Sequence, residues 1–447
     1  MGAAENRGIR MSALRILVTT STLPRWLGDA MPAFVLDQAI ALTRALPGAR
    51  IEILAPHHAG AAFDEVMHGI PIHRFRYFWP PAFQRLAYSA MLPGIRRRPW
   101  LALQLPAFIV AQFFAILSQA RRFRPTVIYS HWFMPQALAG SLAARLLGIP
   151  HVFTTHSSDV EVLRFVPLLG PALVRLITRS SHACTAVSRR TAGRLEAFFD
   201  RAEWQALAPR LQIIPMGVNL AELADKGSAQ KAAARQALGL GESPVLLFLG
   251  RLTEKKGLGD LLQAAAELQR RHHPFSLVIA GEGPLRPEIE SQIGQLDLGK
   301  TVRMAGFVSG QTKQDYLTAS DVVVVPSIVT AAGDVEGLPV TLMEGMAAGR
   351  ICVASDESGA DDVITNGVDG FIVPAGDPNA LAAALASVLK LDPSAVSDMS
   401  KRAAARMQVL DWAPVATAHY SHLFAALDPD PAAPARAGMD SQSGSES

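Results

Sequence analysis

Two glutamates, Glu336 and Glu344, bracket the stretch EGLPVTLMEG with seven residues between them. Leu338, Val340, Leu342, Met343 and Met346 around them are core-type residues, and a carboxylate is seldom buried among such neighbours without a partner. Pro339 fits the first turn of a helix, where its missing N–H costs nothing. A helix starting there leaves Glu336 in the preceding loop and Glu344 just over one turn inside. Both can then face a helix N-terminus, whose free N–H groups favour an anion.

Other residues of this kind follow short apolar runs. RLTEKKG, with Arg251 and Lys256, comes after LLFLG, and the turn GEGP (281–284) comes after LVIA. His156 and Asp159 follow VFTT, and the loop STLPRWLGD, with Gly28, follows ILVTT. In parallel sheets ligands bind beyond the carboxyl ends of the strands, so these separate segments converge on one cleft.

The elements that must hold them follow a β-then-α rhythm. RILVTT (15–20), IEILAP (51–56), TVIYSHW (126–132), HVFTTH (151–156), ACTAVS (183–188) and LQIIPMG (211–217) predict strands, with helical patterns at 33–46 and 135–148. After a polar, Ala-rich stretch the rhythm restarts: PVLLFLG (244–250), FSLVIAG (275–281), TVRMAG (301–306), DVVVVPS (321–327) and RICVAS (350–355) predict five more strands. The fold class is α/β, two doubly wound, Rossmann-like domains at 14–217 and 218–407 that meet near residue 218. Residues 428–447 have no apolar face and are expected to be disordered.

At 447 residues the chain is long for one core. Cys184 and Cys352 form neither a disulfide framework nor a metal-ligand spacing, which suits a reducing compartment. No cluster of Asp, His or Cys has metal-ligand spacing. The net charge of +3 conceals a division. Residues 1–210 hold 24 arginines, no lysine and 11 acidic residues, an excess of +13, and the remainder carries −10. Such a basic half points to an anionic surface: a membrane, a phosphorylated acceptor or nucleic acid. No secretory signal is visible, and Met11 is an alternative start. WLALQLPAFIVAQFFAILS (100–118) has arginines at both ends, which gives no orientation signal, and reads as a buried or interfacial helix rather than a span.

The motifs GRLTEKKG, GEGP and EGLPVTLMEGMAAG, in this order and spacing, resemble a retaining glycosyltransferase of family 4 with the GT-B fold, two domains facing a central cleft. The resemblance covers residues 14–426, and LPRWLGDAMPAFVLDQAIAL, SHWFMPQALA and THSSDV are similar to bacterial members that build surface glycans. DWAPVATAHYSHLF (411–424) resembles the helix that crosses back to the first domain, placed at 408–427. The resemblance implies transfer of a sugar from a UDP- or GDP-linked donor to a glycan or lipid-linked acceptor, in surface polysaccharide or glycolipid synthesis. It implies that Arg251 and Lys256 grip the diphosphate, helped by backbone N–H groups near Leu338 and Val340. Glu344 would take the ribose hydroxyls and Glu336 the transferred sugar. Met304 lies in the stretch VRMAGFV, which would receive the nucleobase. His156 would reach the phosphate and sugar, and Gly28 would let its loop approach the phosphate. No cofactor, metal or protein nucleophile is implied.

Three departures stand out: Arg350-Ile351 where a proline is usual, SGADDVI (358–364) in place of a Gly-Gly and glutamate pattern, and Asn219 for Asp. Two other classes fit part of the sequence: a sugar-nucleotide epimerase or hydrolase on the same fold, and a non-enzymatic binder of nucleotide-sugars or nucleic acid. IPIHRFRYFWPPAFQRLAY (70–88) has the basic-aromatic flavour of a nucleic-acid surface. Trp79, Phe83 and RRRPW, with Arg96, Arg97, Arg98 and Trp100, fit an anionic membrane better, and nucleic acid is not expected as a partner. The expected place is cytoplasmic, peripheral at the inner face of the plasma membrane.

Overall fold

The computed structural model describes residues 14–427 apart from 30, 88–90, 92–93, 96–97, 157, 167, 224–226 and 426. The expected disordered tail, the leader with Met11, and Arg96 and Arg97 lie outside the described residues.

The first sheet has eight strands in the order β3-β4-β2-β1-β5-β6-β7-β8. They are β1 (Arg15–Thr19), β2 (Arg50–Pro56), β3 (Asp64–Met67), β4 (Ile70–Phe75), β5 (Val127–His131), β6 (His151–Thr155), β7 (Ala183–Ala186) and β8 (Leu211–Ile213). All neighbours are parallel except β3 against β4. β1, β5 and β6 are buried almost throughout because helices cover both faces of the sheet, and β5 and β6 carry buried Ser130, His131, His151, Thr154 and Thr155 as well as apolar residues. The hairpin β3–β4 was not anticipated. It occupies part of the stretch with nucleic-acid flavour, and Ile70 and Ile72 of β4 point into the core.

The second sheet runs β11-β10-β9-β12-β13-β14, all parallel. Its strands are β9 (Val245–Leu249), β10 (Ser276–Ala280), β11 (Val302–Gly306), β12 (Val322–Val325), β13 (Ile351–Ser355) and β14 (Phe371–Val373). The sixth, β14, has three residues, too short to show a period.

Strand order reverses at β1/β5 in one sheet and at β9/β12 in the other. Crevices open beyond the carboxyl ends of strands at such points. The chain passes between the sheets twice at one place: Val218 donates its N–H to the Leu410 carbonyl (2.9 Å), and Trp412 donates to the Val218 carbonyl (3.1 Å). Beyond that bridge the helical run 412–425 packs on the helix Phe34–Ala45. Tyr420 and Phe424 are fully buried there, with the Phe424 ring 5.4 Å from that of Tyr129 on β5.

Candidate active site

Both reversal points open into one cavity of about 460 Å³ between the domains. From the second sheet, the loop after β9 brings Arg251, Lys255 and Lys256, and the loop after β12 brings Asp334, Glu336 and Leu338. From the first, the loop after β1 brings Thr22 and Phe34, β5 leads to Trp132, and β6 leads to His156.

The loop after β9 bends sharply at Gly257, whose φ is +64° and where a Cβ would overlap the Pro326 carbonyl. That close approach carries both lysines to Glu336. Lys256 Nζ lies 3.2 Å and Lys255 Nζ 3.3 Å from Glu336 Oε1, and Lys255 also pairs with Asp334 at 3.2 Å. Burial alone would push the Glu336 carboxyl up, but Lys255 and Lys256 overcome it and hold the pKa at about 2. Burial likewise opposes the charge on Lys255, and Glu336 with Asp334 raise its pKa overall. Glu336 is therefore a fixed anion between two fixed cations. Arg251 opens to solvent, and partial desolvation lowers its pKa without removing its charge.

The first domain grips the backbone of the same loop. Arg194 Nη1 donates to the Glu336 carbonyl (2.8 Å), and Ser188 Oγ donates to the Gly337 carbonyl (2.9 Å). A Cβ on Gly337 would overlap the His156 carbonyl, so only glycine permits this contact between domains.

His156 sits under the Trp132 ring, stacked at 4.5 Å, with Phe34 at 5.5 Å. Its Nε2 lies 3.0 Å from Nδ1 of His131, at the end of β5. Burial lowers the pKa of both rings, so the pair is neutral and one nitrogen donates to the other. Asp159 takes no open position: it accepts from the Phe133 N–H (2.7 Å), the Thr155 hydroxyl (3.0 Å) and the His156 N–H (3.3 Å).

Arg251, Lys256, Glu336, Leu338, Val340 and His156 are thus brought together on the cavity wall. The helix Val340–Ala347 starts there with Pro339 as its N-cap residue, one position earlier than the first-turn position expected. Glu344, Gly28 and Met304 do not line the cavity. Glu344 is paired with Lys313 Nζ at 2.6 Å. Gly28 lies in an exposed turn with φ +80°. Met304 packs beside the core of the second domain. Across the cleft from Glu344 and Lys313, Asp37 has its carboxyl pushed up to about 6 by burial and by Glu222.

Lys255, Asp334, His131 and Trp132 were missed. Of three consecutive charges, Glu254-Lys255-Lys256, sequence spacing does not say which reach the cavity. His131 carried a signal, its place at the end of a predicted strand.

A larger depression of about 780 Å³ lies on the outside of the first domain, lined by Arg145, Arg175 and Arg179. Arg175 and Arg179 already share Glu203, and the depression lies at the amino ends of β6 and β7, not at carboxyl strand ends. Among the described residues no group of His, Cys, Asp and Glu is arranged to hold a metal ion.

Residues 33–222 match the family Glycosyltransferase Family 4, and residues 230–406 match Glycosyl transferases group 1. The chain is 30% identical over 333 residues to the putative colanic acid biosynthesis glycosyltransferase WcaL of Escherichia coli, covering 72% of this chain and 77% of that one. It is 31% identical over 272 residues to a GDP-mannose-dependent alpha-(1-6)-phosphatidylinositol monomannoside mannosyltransferase of Mycolicibacterium smegmatis, covering 60% of this chain and 69% of that one. Another curated relative is matched over 34% of its length. The fold is shared with sucrose-phosphate synthase of Thermosynechococcus elongatus, at a TM-score of 0.72 and 21% identity over 92% of this chain and 100% of that one. The chain belongs to the family 4 glycosyltransferases of GT-B fold.

Proposed function

We propose that the protein transfers a sugar from a UDP- or GDP-linked donor to a lipid-linked or glycan acceptor, with retention, in bacterial surface polysaccharide or glycolipid synthesis. The observation that carries this reading is the meeting of Arg251, Lys256, Glu336 and His156 in one cavity at two strand-order reversals.

As the bond from the sugar's anomeric carbon to the diphosphate breaks, negative charge grows on the leaving oxygen. Arg251, Lys256 and the N–H groups at the start of the helix Val340–Ala347 are preorganised to stabilise it. Positive charge grows on the ring, and Glu336, held ionised, stands ready to offset it. Two lysines make Glu336 a poor nucleophile, and Asp159 is occupied. The acceptor hydroxyl therefore bonds to the anomeric carbon on the face the diphosphate leaves, and its proton passes to a diphosphate oxygen. Neutral His156 supplies a hydrogen bond to phosphate or sugar, oriented by His131. Side-chain cations serve the diphosphate, so transfer is expected to survive EDTA and to need no cofactor.

The acceptor is membrane-bound, and the enzyme works at an anionic membrane surface on the cytoplasmic side. The +13 excess of the first 210 residues supports this, as does a relative whose name specifies a phosphatidylinositol acceptor.

A thermal-shift panel of UDP-, GDP- and ADP-sugars, with and without Mg²⁺, tests the donor. One UDP- or GDP-sugar should raise Tm without metal, and an NMR assay should then find the product with the donor's anomeric configuration. Release of nucleoside diphosphate without any acceptor would favour the epimerase or hydrolase class, and an inverted product would remove retention.

A further inference from the structure

The helix Gln104–Phe123 turns polar side chains inward. Gln104, Gln112 and Gln119 are buried with Phe108, Ile116 and Phe123. Gln104 donates to the Phe83 carbonyl (2.8 Å) and Gln119 to Glu52 (2.5 Å). The outward positions are apolar instead. Leu103 in the preceding turn, Pro106, Val110 and Phe114 recur at helical spacing, and Leu103, Val110 and Phe114 are 76%, 55% and 61% exposed. A helix on a water-facing surface has the opposite arrangement.

An 18-residue window within the run 99–123 has a mean hydropathy of 1.9, and the run is long and apolar enough to cross a bilayer. Its inner face is already committed: Phe108 packs on Phe75 (5.4 Å) and Tyr77 (4.9 Å) beside the first sheet. It is free to lie on a bilayer and not to cross one.

The surrounding charge fits an anionic bilayer. Residues 66–158 contain ten arginines and not one lysine, aspartate or glutamate. Arg98 is exposed before the helix, and Arg121, Arg122 and Arg124 are exposed at its far end. Among the described residues no carboxylate pairs with these four. At the near end Trp79 and Trp100 are exposed, as is Phe83, whose carbonyl holds Gln104. Aromatic rings and arginines flanking an apolar stripe suit the headgroup level of a membrane.

We propose that this outer stripe is the docking surface for an anionic lipid bilayer, with the helix lying in the membrane plane. Leu103, Val110 and Phe114 enter the acyl boundary, and the flanking arginines meet lipid phosphates. The inference rests on the membrane-bound acceptor proposed above, and it makes the helix, rather than the arginine triplet before it, the principal contact.

Cys184 and Cys352 are buried, so one introduced cysteine can be labelled selectively in the full chain. An environment-sensitive fluorophore on Phe114→Cys should shift to the blue with phosphatidylglycerol-containing vesicles, and one on Ser291→Cys in the second domain should not. Val110→Gln with Phe114→Gln should lower partition into those vesicles at least tenfold while donor-induced thermal shift stays unchanged. Vesicle binding by wild type with the label at 114 still in water would overturn the stripe and leave the membrane-bound acceptor standing. Absence of binding to any vesicle would remove both. Self-association abolished by the double variant, without vesicle binding, would assign the stripe to a second copy of the chain and overturn the proposal.

Discussion

The second domain pairs its charges: Lys255 with Asp334 and Glu336 in the cleft, Lys313 with Glu344 beyond it, and Lys231 with Asp321 at the opposite, amino end of the sheet. The outer face of the first domain leaves Arg98, Arg121 and Arg122 unpaired among the described residues, beside exposed Trp79, Leu103 and Phe114. Large exposed apolar side chains are rare in the second domain, where Phe307, Val329 and Val368 are examples, and frequent in the first. Mutual pairing fixes side chains at set distances, which suits a small ligand that must be held in one pose. Unpaired arginines among apolar side chains suit a broad anionic surface with no fixed shape. On this view one domain is built for position and the other for adhesion, and variants in each should fail in different assays.

The largest expected loss is at Lys256. Lys256→Met should lower kcat by about 10²–10³-fold, the usual cost of removing one donor aimed at developing charge. Donor analogues should still bind measurably, and an unchanged kcat in a labelled-donor assay would detach the diphosphate from this lysine. Next is Glu344→Ala. If its carboxylate exchanges Lys313 for the ribose hydroxyls when donor binds, affinity should fall by about 1.5–3 kcal/mol in calorimetry. Unchanged affinity, with an intact far-UV spectrum, would make the Lys313–Glu344 pair purely structural.

Variants of the adhesive face should leave both readouts alone. Arg98→Gln and Arg121→Gln should each weaken partition into anionic vesicles by roughly fivefold, from about 1 kcal/mol per basic residue near such a surface. Added salt should erase the difference, and a fall in donor affinity instead would break the division of labour. The smallest effect is on stability. Asp37 titrates at about 6 in the fold, against an ordinary aspartate value of 3.8, because burial and Glu222 disfavour its ionised form. Its carboxylate thus costs stability in full above pH 6, less on the way down to 3.8, and nothing below. Asp37→Asn should raise Tm by about 2–6 °C at pH 7.5 and leave it unchanged at pH 3.5. Equal shifts at both pH values would show a packing effect rather than a titration.

Much of the positioning domain was legible in sequence because its chemistry sits at strand ends. Arg251, Lys256 and Glu336 each follow an apolar run, and a parallel sheet brings such ends together whatever the intervening chain does. What was missed depends on distant partners. That Lys313 holds Glu344, or that Lys255 bridges Asp334 and Glu336, follows from the packing of separate segments and leaves no local period. The departures in SGADDVI and at Arg350 acquire reasons in the same way. Asp362 accepts two bonds from Arg189 of the first domain, at 2.7 and 2.5 Å, and Arg350 is buried with its guanidinium on the Ala348 and Ser320 carbonyls. In the first domain β4 alternates as a strand should, but its arginine and histidine drew attention to charge instead of period. The helix Gln104–Phe123 reads in sequence as buried or interfacial, but which of its faces turns inward is decided by Phe75 and Tyr77 of a neighbouring segment.

The crossing at Val218, Leu410 and Trp412 bears on the order in which the molecule can be made. Tyr420 and Phe424 complete the packing over Tyr129, in the centre of the first sheet, yet they are translated after the whole second domain. Domains usually fold as units while the chain emerges, the N-terminal one first. Here the first domain leaves the ribosome with part of its core still unsynthesised. It must wait as an incomplete body until the second domain has folded and the run 412–425 returns to close it. A released chain ending just before Trp412 would therefore carry the second domain tethered to an open first one, the form in which chaperones would find the most to hold.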